Sequence, residues 1–303
     1  MKKSASEQTL NRFVDLFEKH LGRNKSKHTI VNYISDLNQF VKYLSNNNLD
    51  YNLDIFDRDR FLDYIDFMKT TYAPATIHRK AISLNEFLVF LNRTGRLKKT
   101  PFIDGDELQE YLPTIPKKKV QTLSKNQVKN MAFVAENLMH ECLIRMFYDT
   151  GCRVSEIVAA KWSDIENDFT RNLLVVRGKG KGGMTKERTV RISPKTMELL
   201  DQMKSSRNYE TQYIFESERT KKPLTTRRMN QILKEISDSS GIENVSSHIF
   251  RKSIATHLIE NGLSIEYVSD YLGHEYIETT KRNYVDTTKQ LHDKVDAAFG
   301  EEI

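Results

Sequence analysis

Residues 248–258 read HIFRKSIATHL, and this stretch is the most informative segment of the C-terminal half of the chain. Its apolar residues recur at a four-residue step, which predicts a helix with one buried face: Phe250, Ile254 and Leu258. His248 and Arg251 are three residues apart, so they share a different face near the start of that helix. Because the free backbone N–H groups of a helix start favour an anion, the stretch predicts an anion-binding helix end.

Three other segments carry groups that can act on a phosphate. They are residues 150–156, TGCRVSE, with Arg153; residues 178–180, GKG, with Lys179; and residues 271–284, YLGHEYIETTKRNY, with His274 and Tyr284. Arginines can hold the non-bridging oxygens of a phosphodiester, imidazoles and a lysine can move protons, and a phenol can be the nucleophile. The ordered set therefore indicates attack on a phosphodiester without a metal or another cofactor.

The first third of the chain reads as helices. Apolar residues at three- and four-residue steps predict helices near residues 10–21, 30–44, 61–68 and 77–91. Asp57 is expected to begin the third helix, and Gly95 to end the fourth. We therefore expect residues 1–111 to form a small helical bundle.

Residues 112–121 read LPTIPKKKVQ and differ in composition from both flanks. The two prolines resist helix formation, and Lys117, Lys118 and Lys119 repel one another, so the segment is predicted to be a linker. The three lysines are interpreted either as a solvated hinge or as a basic strap along a phosphate backbone, and the two interpretations are compatible.

Residues 122–303 are predicted to form a second, mostly helical domain. Ser124 and Gln127 have the spacing of a capping box, Gly151 is expected to stop a buried helix, and Ser155 is expected to cap the next one. Residues 173–177 and 188–192 are rich in β-forming side chains and flank a loop of glycines and lysines, which indicates a hairpin. The predicted fold class is therefore mainly α with a small antiparallel β-sheet in the C-terminal domain.

The net charge and pI of the chain are compatible with binding to a nucleic acid but do not require it. The chain has 303 residues, a formal net charge of +6 and a pI of about 9.0. A polyanion is therefore a plausible partner, although acidic residues nearly balance the basic ones. Two cysteines are too few for a disulfide framework, and the chain has no run of about 18 apolar residues that could span a membrane. The spacing of His248, His257 and His274 does not match that of a structural zinc site. We expect a cytoplasmic, nucleoid-associated protein that binds neither metal nor membrane.

The segments around Arg153, His248 and Tyr284 resemble the three signature boxes of the tyrosine recombinases, also called the phage integrase family. Residues 27–37, KHTIVNYISDL, and residues 74–80, PATIHRK, are similar to the helical, SAM-like core-binding domain of that family. The resemblance extends over nearly the whole chain. It implies a two-domain DNA clamp in which the core-binding domain and the catalytic domain hold a duplex from opposite sides.

The resemblance also implies a role for each residue of the set. Tyr284 would attack the scissile phosphate and form a 3′-phosphotyrosine, Arg153 and Arg251 would hold the transition-state oxygens, and His248 and His274 would assist proton movement. Tyr267, Tyr271 and Tyr276 compete with Tyr284 on chemistry alone, and only the resemblance favours Tyr284. Glu156 resembles an acid that orients Arg153, although a helix-start glutamate would look the same.

The general acid is expected on the hairpin, and two lysines match the position. Lys179 fits the family pattern best, and Lys181 is the alternative because the loop looks longer than usual for the family. Further candidates for DNA contact are Lys181 itself, Lys186, Arg227, Arg228 and Lys252. Two departures put fine geometry in question: Lys252 stands where relatives commonly have histidine, and Tyr284 follows His274 by ten residues instead of nine.

The partners implied are a double-stranded DNA recombination site, three further copies in a homotetramer joined by exchange of the C-terminal helix, and accessory proteins in some systems. The function implied is site-specific recombination through a Holliday junction, as in Xer-like enzymes or in the integrases and resolvases of transposons, plasmids and other mobile elements. Two alternatives stay open: an enzyme like a type IB topoisomerase, and a DNA-binding accessory protein without activity.

Overall fold

A computed structural model describes residues 5–53, 56–102, 105–116, 121–168, 170–179 and 185–274. The chain divides into two compact units, residues 1–118 and residues 119–303. Each unit has its own hydrophobic core. Within the described ranges, none of the helices is both long and apolar enough to cross a membrane.

The described residues of the N-terminal unit form five helices: α1 (Ala5–Leu21), α2 (Lys27–Asn46), α3 (Arg58–Lys69), α4 (Pro74–Arg93) and α5 (Gly105–Gln109). The four predicted helices are present, and Asp57 caps α3 by accepting from the backbone N–H of Arg60. Gly95 follows α4 with φ 69°, a left-handed conformation that glycine adopts without strain. Interleaved aromatic side chains fill the core, among them Phe17, Phe61 and Phe87, which are at most 1% exposed.

A buried ion-pair network joins α2 to α4. Asp36 is 3% exposed and lies 3.2 Å from the Nζ of Lys80, which is also 3% exposed. Asp36 also accepts hydrogen bonds from Arg79 and from the Ser83 hydroxyl. Breaking such a pair leaves an unpaired charge in the core, so the network fixes how α2 packs on α4.

In the C-terminal unit, the part of the chain that the structure describes forms seven further α-helices: α6 (Lys125–Phe133), α7 (Leu138–Thr150), α8 (Val154–Ala159), α9 (Pro194–Ser205), α10 (Thr226–Ser240), α11 (Ser247–Glu260) and α12 (Ile265–Leu272). The predicted capping box of Ser124 and Gln127 opens α6. Gly151 ends α7 with φ 59°, as predicted. Helices α6 to α10, the start of α11 and the sheet described next share one apolar core, whereas the rest of α11 packs with α12 in a second, smaller cluster.

Up to residue 274, the described segments contribute three antiparallel strands to the sheet: β1 (Ile165–Asp168), β2 (Arg171–Lys179) and β3 (Thr185–Ile192). Strands β2 and β3 form the predicted hairpin, with Leu174 opposite Val190 and Val176 opposite Arg188. Leu174, Val176 and Val190 are buried on one face of this pair. The inward face of β3 therefore carries Arg188 beside apolar neighbours.

One sequence expectation about this unit is wrong. Ser155 does not cap α8, because it is already inside the helix and its side chain is exposed. The capping residue is Arg153, whose backbone N–H donates to Glu156 Oε2 at 2.7 Å. The carboxylate of Glu156, in the first turn of α8, thus satisfies a backbone N–H group at the start of the helix.

Candidate active site

The turn between α7 and α8 places Arg153 beside the end of α12. The left-handed Gly151 reverses the chain after α7, and Arg153 begins α8 two residues later. A Cβ at Gly151 would lie 2.7 Å from Leu272 Cδ2, so a larger residue in this left-handed turn would force the side chain of Leu272 to move. The guanidinium of Arg153 donates to Glu156 Oε1 at 3.0 Å and to Gly273 O at 3.3 Å, and its side chain is 38% exposed.

Glu156 joins two arginines, and sequence reasoning identified only one of them. Besides Arg153, Arg188 donates to both carboxylate oxygens, with Nη1–Oε1 at 3.0 Å and Nη2–Oε2 at 2.8 Å. Burial would raise the pKa of Glu156, but hydrogen bonds and positive charge from Arg188 and Arg153 outweigh it and lower the pKa below its ordinary value. Glu156 is therefore a charged acceptor at neutral pH.

The C-terminal end of α12 binds three arginines through consecutive carbonyl groups. Arg188 Nε donates to Tyr271 O at 2.9 Å, Arg251 Nη2 to Leu272 O at 2.6 Å, and Arg153 Nη2 to Gly273 O at 3.3 Å. The last carbonyls of a helix lack partners within it and carry partial negative charge. This helix end and Glu156 together offset the repulsion among the three guanidinium groups.

The two imidazoles lie among these cations. His274 follows the left-handed Gly273 and is 7% exposed. Burial, together with the charges of Arg251, Arg153 and Arg188, lowers the pKa of His274 to about 4. Partial burial of the ring, together with the charges of Arg251, Arg153 and Lys252, also lowers the pKa of His248. Both rings are therefore neutral at pH 7 and can donate one hydrogen bond each.

Arg251 is the most enclosed member of the set. It is 2% exposed and donates through Nη1 to Gly151 O at 2.7 Å as well as to Leu272 O. Its position three residues after His248 on α11 is the one predicted. The structure thus brings together Arg153, Glu156, His248, Arg251 and His274 at one end of α12.

The remaining predicted catalytic groups lie outside the described residues in whole or in part. Tyr284 and Lys181 are not described, and neither are Lys117, Lys118 and Lys119. For Lys179 only the backbone is described: it is the last residue of β2 and pairs with Thr185. The adjacent Gly178 lies against the site, because a Cβ there would be 3.3 Å from Glu156 Oε1.

The other candidates for DNA contact lie at the surface. Lys186 is exposed on β3 opposite Gly178, and Arg227 is exposed in the first turn of α10. Arg228 forms an ion pair with Glu235 at 2.9 Å. Lys252 is half-buried and near enough to His248 to affect its pKa.

Two of the competing tyrosines can be placed. Tyr271 donates its hydroxyl to Asp149 O at 3.0 Å and accepts from the backbone N–H of Arg191, and burial raises its pKa to about 12. Tyr271 therefore has a packing role. Tyr267 is 72% exposed at the start of α12, and Tyr276 lies outside the described residues. Within the described ranges, no cluster of three or more histidine, cysteine or acidic side chains is arranged to hold a metal.

Comparison with known proteins places the chain in a family. The model for the phage integrase family matches residues 121–290, and the model for the N-terminal SAM-like domain of phage integrases matches residues 14–95. The chain belongs to the phage integrase family. It is a tyrosine-type site-specific recombinase, and the resemblance inferred from its signature boxes is confirmed.

Relatives of this recombinase are similar over most of their length. The tyrosine recombinase XerC of Roseiflexus castenholzii is 30% identical over 284 residues, which cover 90% of this chain and 88% of that protein. The tyrosine recombinase XerA of Pyrococcus horikoshii is 29% identical over 226 residues, covering 74% and 77%.

Solved structures share the fold of this recombinase. The XerH site-specific recombinase bound to palindromic difH substrate in a post-cleavage complex has a TM-score of 0.74 and 16% identity, covering 99% of this chain and 98% of that one. The lambda integrase tetramer bound to a Holliday junction has a TM-score of 0.70 and 18% identity, covering 92% and 78%. These likenesses confirm the predicted fold class of a mainly helical protein with a small antiparallel sheet.

Proposed function

We propose that this recombinase cleaves and rejoins duplex DNA through a covalent bond between Tyr284 and the 3′ phosphate of the cut strand. The observation that carries the proposal is the gathering of Arg153, Arg251, His248 and His274 at the end of α12; His274 precedes Tyr284 by ten residues. Attack by the phenol conserves the energy of the phosphodiester in the new bond and leaves a free 5′ hydroxyl. Reversal by another 5′ hydroxyl rejoins the strand without ATP.

The arginines stabilise the negative charge that grows on the non-bridging oxygens. Arg153 suits this role in the structure described, because Glu156 orients it and more than a third of its side chain is exposed. Arg251 must become accessible on DNA binding, because it is 2% exposed and donates to two backbone carbonyls. Preorganised cations in a site of low dielectric stabilise a phosphoryl transition state strongly.

The histidines act as neutral hydrogen-bond donors to the phosphate. Their lowered pKa values keep them uncharged at pH 7. Approach of a phosphate raises the pKa of a nearby imidazole, because opposite charge favours the protonated form. With the phosphate bound, one of these neutral imidazoles can therefore accept the proton of the Tyr284 phenol and become positively charged as the phenol oxygen attacks phosphorus.

The general acid for the leaving 5′ oxygen is assigned to Lys179, with Lys181 as the alternative. What supports Lys179 is its place at the end of β2, one residue after Gly178, whose backbone lies against Glu156. The hairpin residues that follow Lys179 lie outside the described ranges. Lys117, Lys118, Lys119, Lys186, Arg227, Arg228 and Lys252 are proposed as phosphate contacts that fix the position of the duplex.

The full reaction is proposed to need four protomers on a Holliday junction, joined by exchange of C-terminal helices. What supports the assembly is the likeness to the lambda integrase tetramer bound to such a junction. Residues 290–299 carry the apolar residues Leu291, Val295, Ala298 and Phe299, which have helical spacing but lie outside the described residues. Accessory proteins belong to the same proposal.

A nicked suicide duplex carrying the cognate site tests the nucleophile. The wild-type protein should form a covalent adduct on a denaturing gel, and Tyr284→Phe should form none. Tyr267→Phe is the matched control, because Tyr267 is exposed on α12 and should leave the adduct intact. An adduct that persists in Tyr284→Phe and is lost in Tyr267→Phe would reassign the nucleophile. Relaxation of supercoils by monomers at any sequence would favour the topoisomerase alternative.

A 5′-phosphorothiolate substrate tests the general acid. Its sulfur leaving group needs little protonation, so the substrate should restore cleavage to a variant that lacks only the acid. We expect restoration for Lys179→Ala and no defect to restore for Lys181→Ala. The reverse pattern would move the role to Lys181.

A further inference from the structure

Arg188 is buried on the inward face of β3, where strand alternation ordinarily places apolar residues. It lies opposite Val176 and two residues before Val190, and its side chain is 9% exposed. Burial opposes its positive charge, but the bonds to Glu156 outweigh burial and raise the pKa of Arg188 above its ordinary value. Burying an arginine is costly unless its donors are satisfied, so its partners explain its presence.

All three nitrogens of the guanidinium are directed at acceptors of this chain. Nη1 and Nη2 form a bidentate pair with Glu156, Nε donates to Tyr271 O, and Nη2 also lies 3.8 Å from Cys152 Sγ. Gly273 packs directly on the same group, because a Cβ there would lie 3.1 Å from Arg188 Cδ. Arg251 donates to neutral backbone carbonyls, but Arg188 is paired with a buried carboxylate, so a phosphate could reach the Arg188 guanidinium only by displacing the negative charge of Glu156.

The partners of Arg188 are the groups that orient two other residues of the site. Glu156 holds Arg153 through a side-chain bond of 3.0 Å and a backbone bond of 2.7 Å. Tyr271 O and Gly273 belong to the helix end from which His274 extends. Arg188 therefore joins β3 to both the start of α8 and the end of α12.

We propose that Arg188 is a positioning residue, which holds Arg153 through Glu156 and holds His274 through the end of α12, and which does not itself contact DNA. This inference rests on the proposed function of the same site. Arg188→Lys keeps the charge but loses the bidentate fork, since an ammonium cannot bond both carboxylate oxygens and Tyr271 O in that geometry. Arg188→Met removes the charge and keeps most of the volume.

The first measurement is single-turnover adduct formation at saturating protein, together with DNA affinity as a function of salt. We expect cleavage to fall about 100-fold in Arg188→Met, because displacement of catalytic groups by about 1 Å has effects of that size. The slope of log affinity against log salt should stay unchanged. Loss of a phosphate contact would lower that slope by about 1, and this result would overturn the proposal. Arg191→Met on the same strand is the matched control, because Arg191 is exposed.

A double-mutant cycle with Glu156→Gln tests whether Arg188 positions Arg153 by holding Glu156. If Arg188 acts through that carboxylate, the double variant should cleave no more slowly than the slower single variant. If the losses of cleavage rate in the two single variants multiply in the double variant, Arg188 does not act through Glu156. Melting curves of each variant establish that only folded protein is compared.

A second measurement needs no cleavage, so it separates this inference from the proposed function. The backbone N–H groups of Gly273 and His274 bond to Asp270 O and Ser269 O at 3.0 Å. Amide hydrogen exchange at these two residues, followed by NMR in the free protein, should accelerate in Arg188→Lys and not in Arg191→Met. Unchanged exchange would overturn the positioning role. Absence of any adduct with the wild-type protein would instead overturn the proposed function and leave this measurement decisive for Arg188.

Discussion

Replacing Gly151 with alanine should destabilise the C-terminal unit more than the same replacement at Gly241. Both glycines end a helix in the left-handed conformation, with φ 59° and 68°. Their surroundings differ. A Cβ at Gly151 would lie 2.7 Å from Leu272 Cδ2 and 2.9 Å from Ile254 Cγ2, whereas a Cβ at Gly241 would have nothing within 4 Å.

The difference in surroundings sets the expected magnitudes. A left-handed backbone costs an alanine about 1–2 kcal/mol, and this cost applies at both positions. Overpacking adds about 1–3 kcal/mol where the core must move to admit a methyl group. We therefore expect a loss of unfolding free energy of roughly 1–2 kcal/mol for Gly241→Ala and roughly 2–5 kcal/mol for Gly151→Ala.

The assay is urea unfolding followed by tryptophan fluorescence. Trp162 is the single tryptophan of the chain and lies in the C-terminal unit, so its signal reports on that unit. If the variants differ in the urea concentration at the midpoint but not in the slope of unfolding free energy against urea concentration, the substitution has changed stability alone. Equal midpoints for Gly151→Ala and Gly241→Ala would refute the packing argument. Because Gly151 O also accepts from Arg251, we expect Gly151→Ala alone of the pair to lose adduct formation in conditions where both are folded.

Two further predictions concern charges. Asp36→Asn should destabilise the N-terminal unit by about 3–5 kcal/mol, because it leaves the buried Lys80 uncompensated, whereas Asp66→Asn at an exposed pair with Lys69 should cost about 0.5 kcal/mol or less. Hydrogen exchange in α2 and α4 measures this difference, and similar protection in both variants would contradict it. Since the pKa of Glu156 is lowered, its charge stabilises the folded state above the unfolded-state pKa, and this contribution is lost as pH falls through the folded-state pKa. Glu156→Gln should therefore make unfolding free energy fall less steeply as the pH drops below the ordinary pKa of a glutamate, measured by urea unfolding followed by Trp162 fluorescence. Curves of equal steepness for the two proteins would contradict this role of Glu156.

Local sequence signals predicted most of the secondary structure. Apolar periodicity located α2 and α4. Gly151 was predicted to end α7 because glycine is the residue type that adopts a positive φ without strain. Strand β1 was not predicted: three of its four residues are exposed and polar, so no alternation marks it. The cap of α8 was assigned to Ser155 because serine is a common cap, but Glu156 binds the backbone of Arg153 from inside the helix.

Arg188 shows what a linear reading of the site misses. A charged residue in a strand is ordinarily expected on the solvent face, and its partners lie 32 and 83 residues away in the chain. The signal that could have found it is its place in the pattern of Val190 and Ile192, which puts it on the inward face. Arg153, His248 and Arg251 could be found because they lie in motifs with local spacing.

The three consecutive carbonyls at the end of α12 have a consequence for a chain that is still being synthesised. Arg153, Arg188 and Arg251 come from well-separated segments, and the acceptors that gather them, Tyr271 to Gly273, are made after all three. A nascent polypeptide that stops short of α12 carries the arginines without the helix end that assembles them. By this reasoning a translation product truncated before α12 would carry the three arginines without the arrangement described above, because the acceptors that gather them follow all three in the chain.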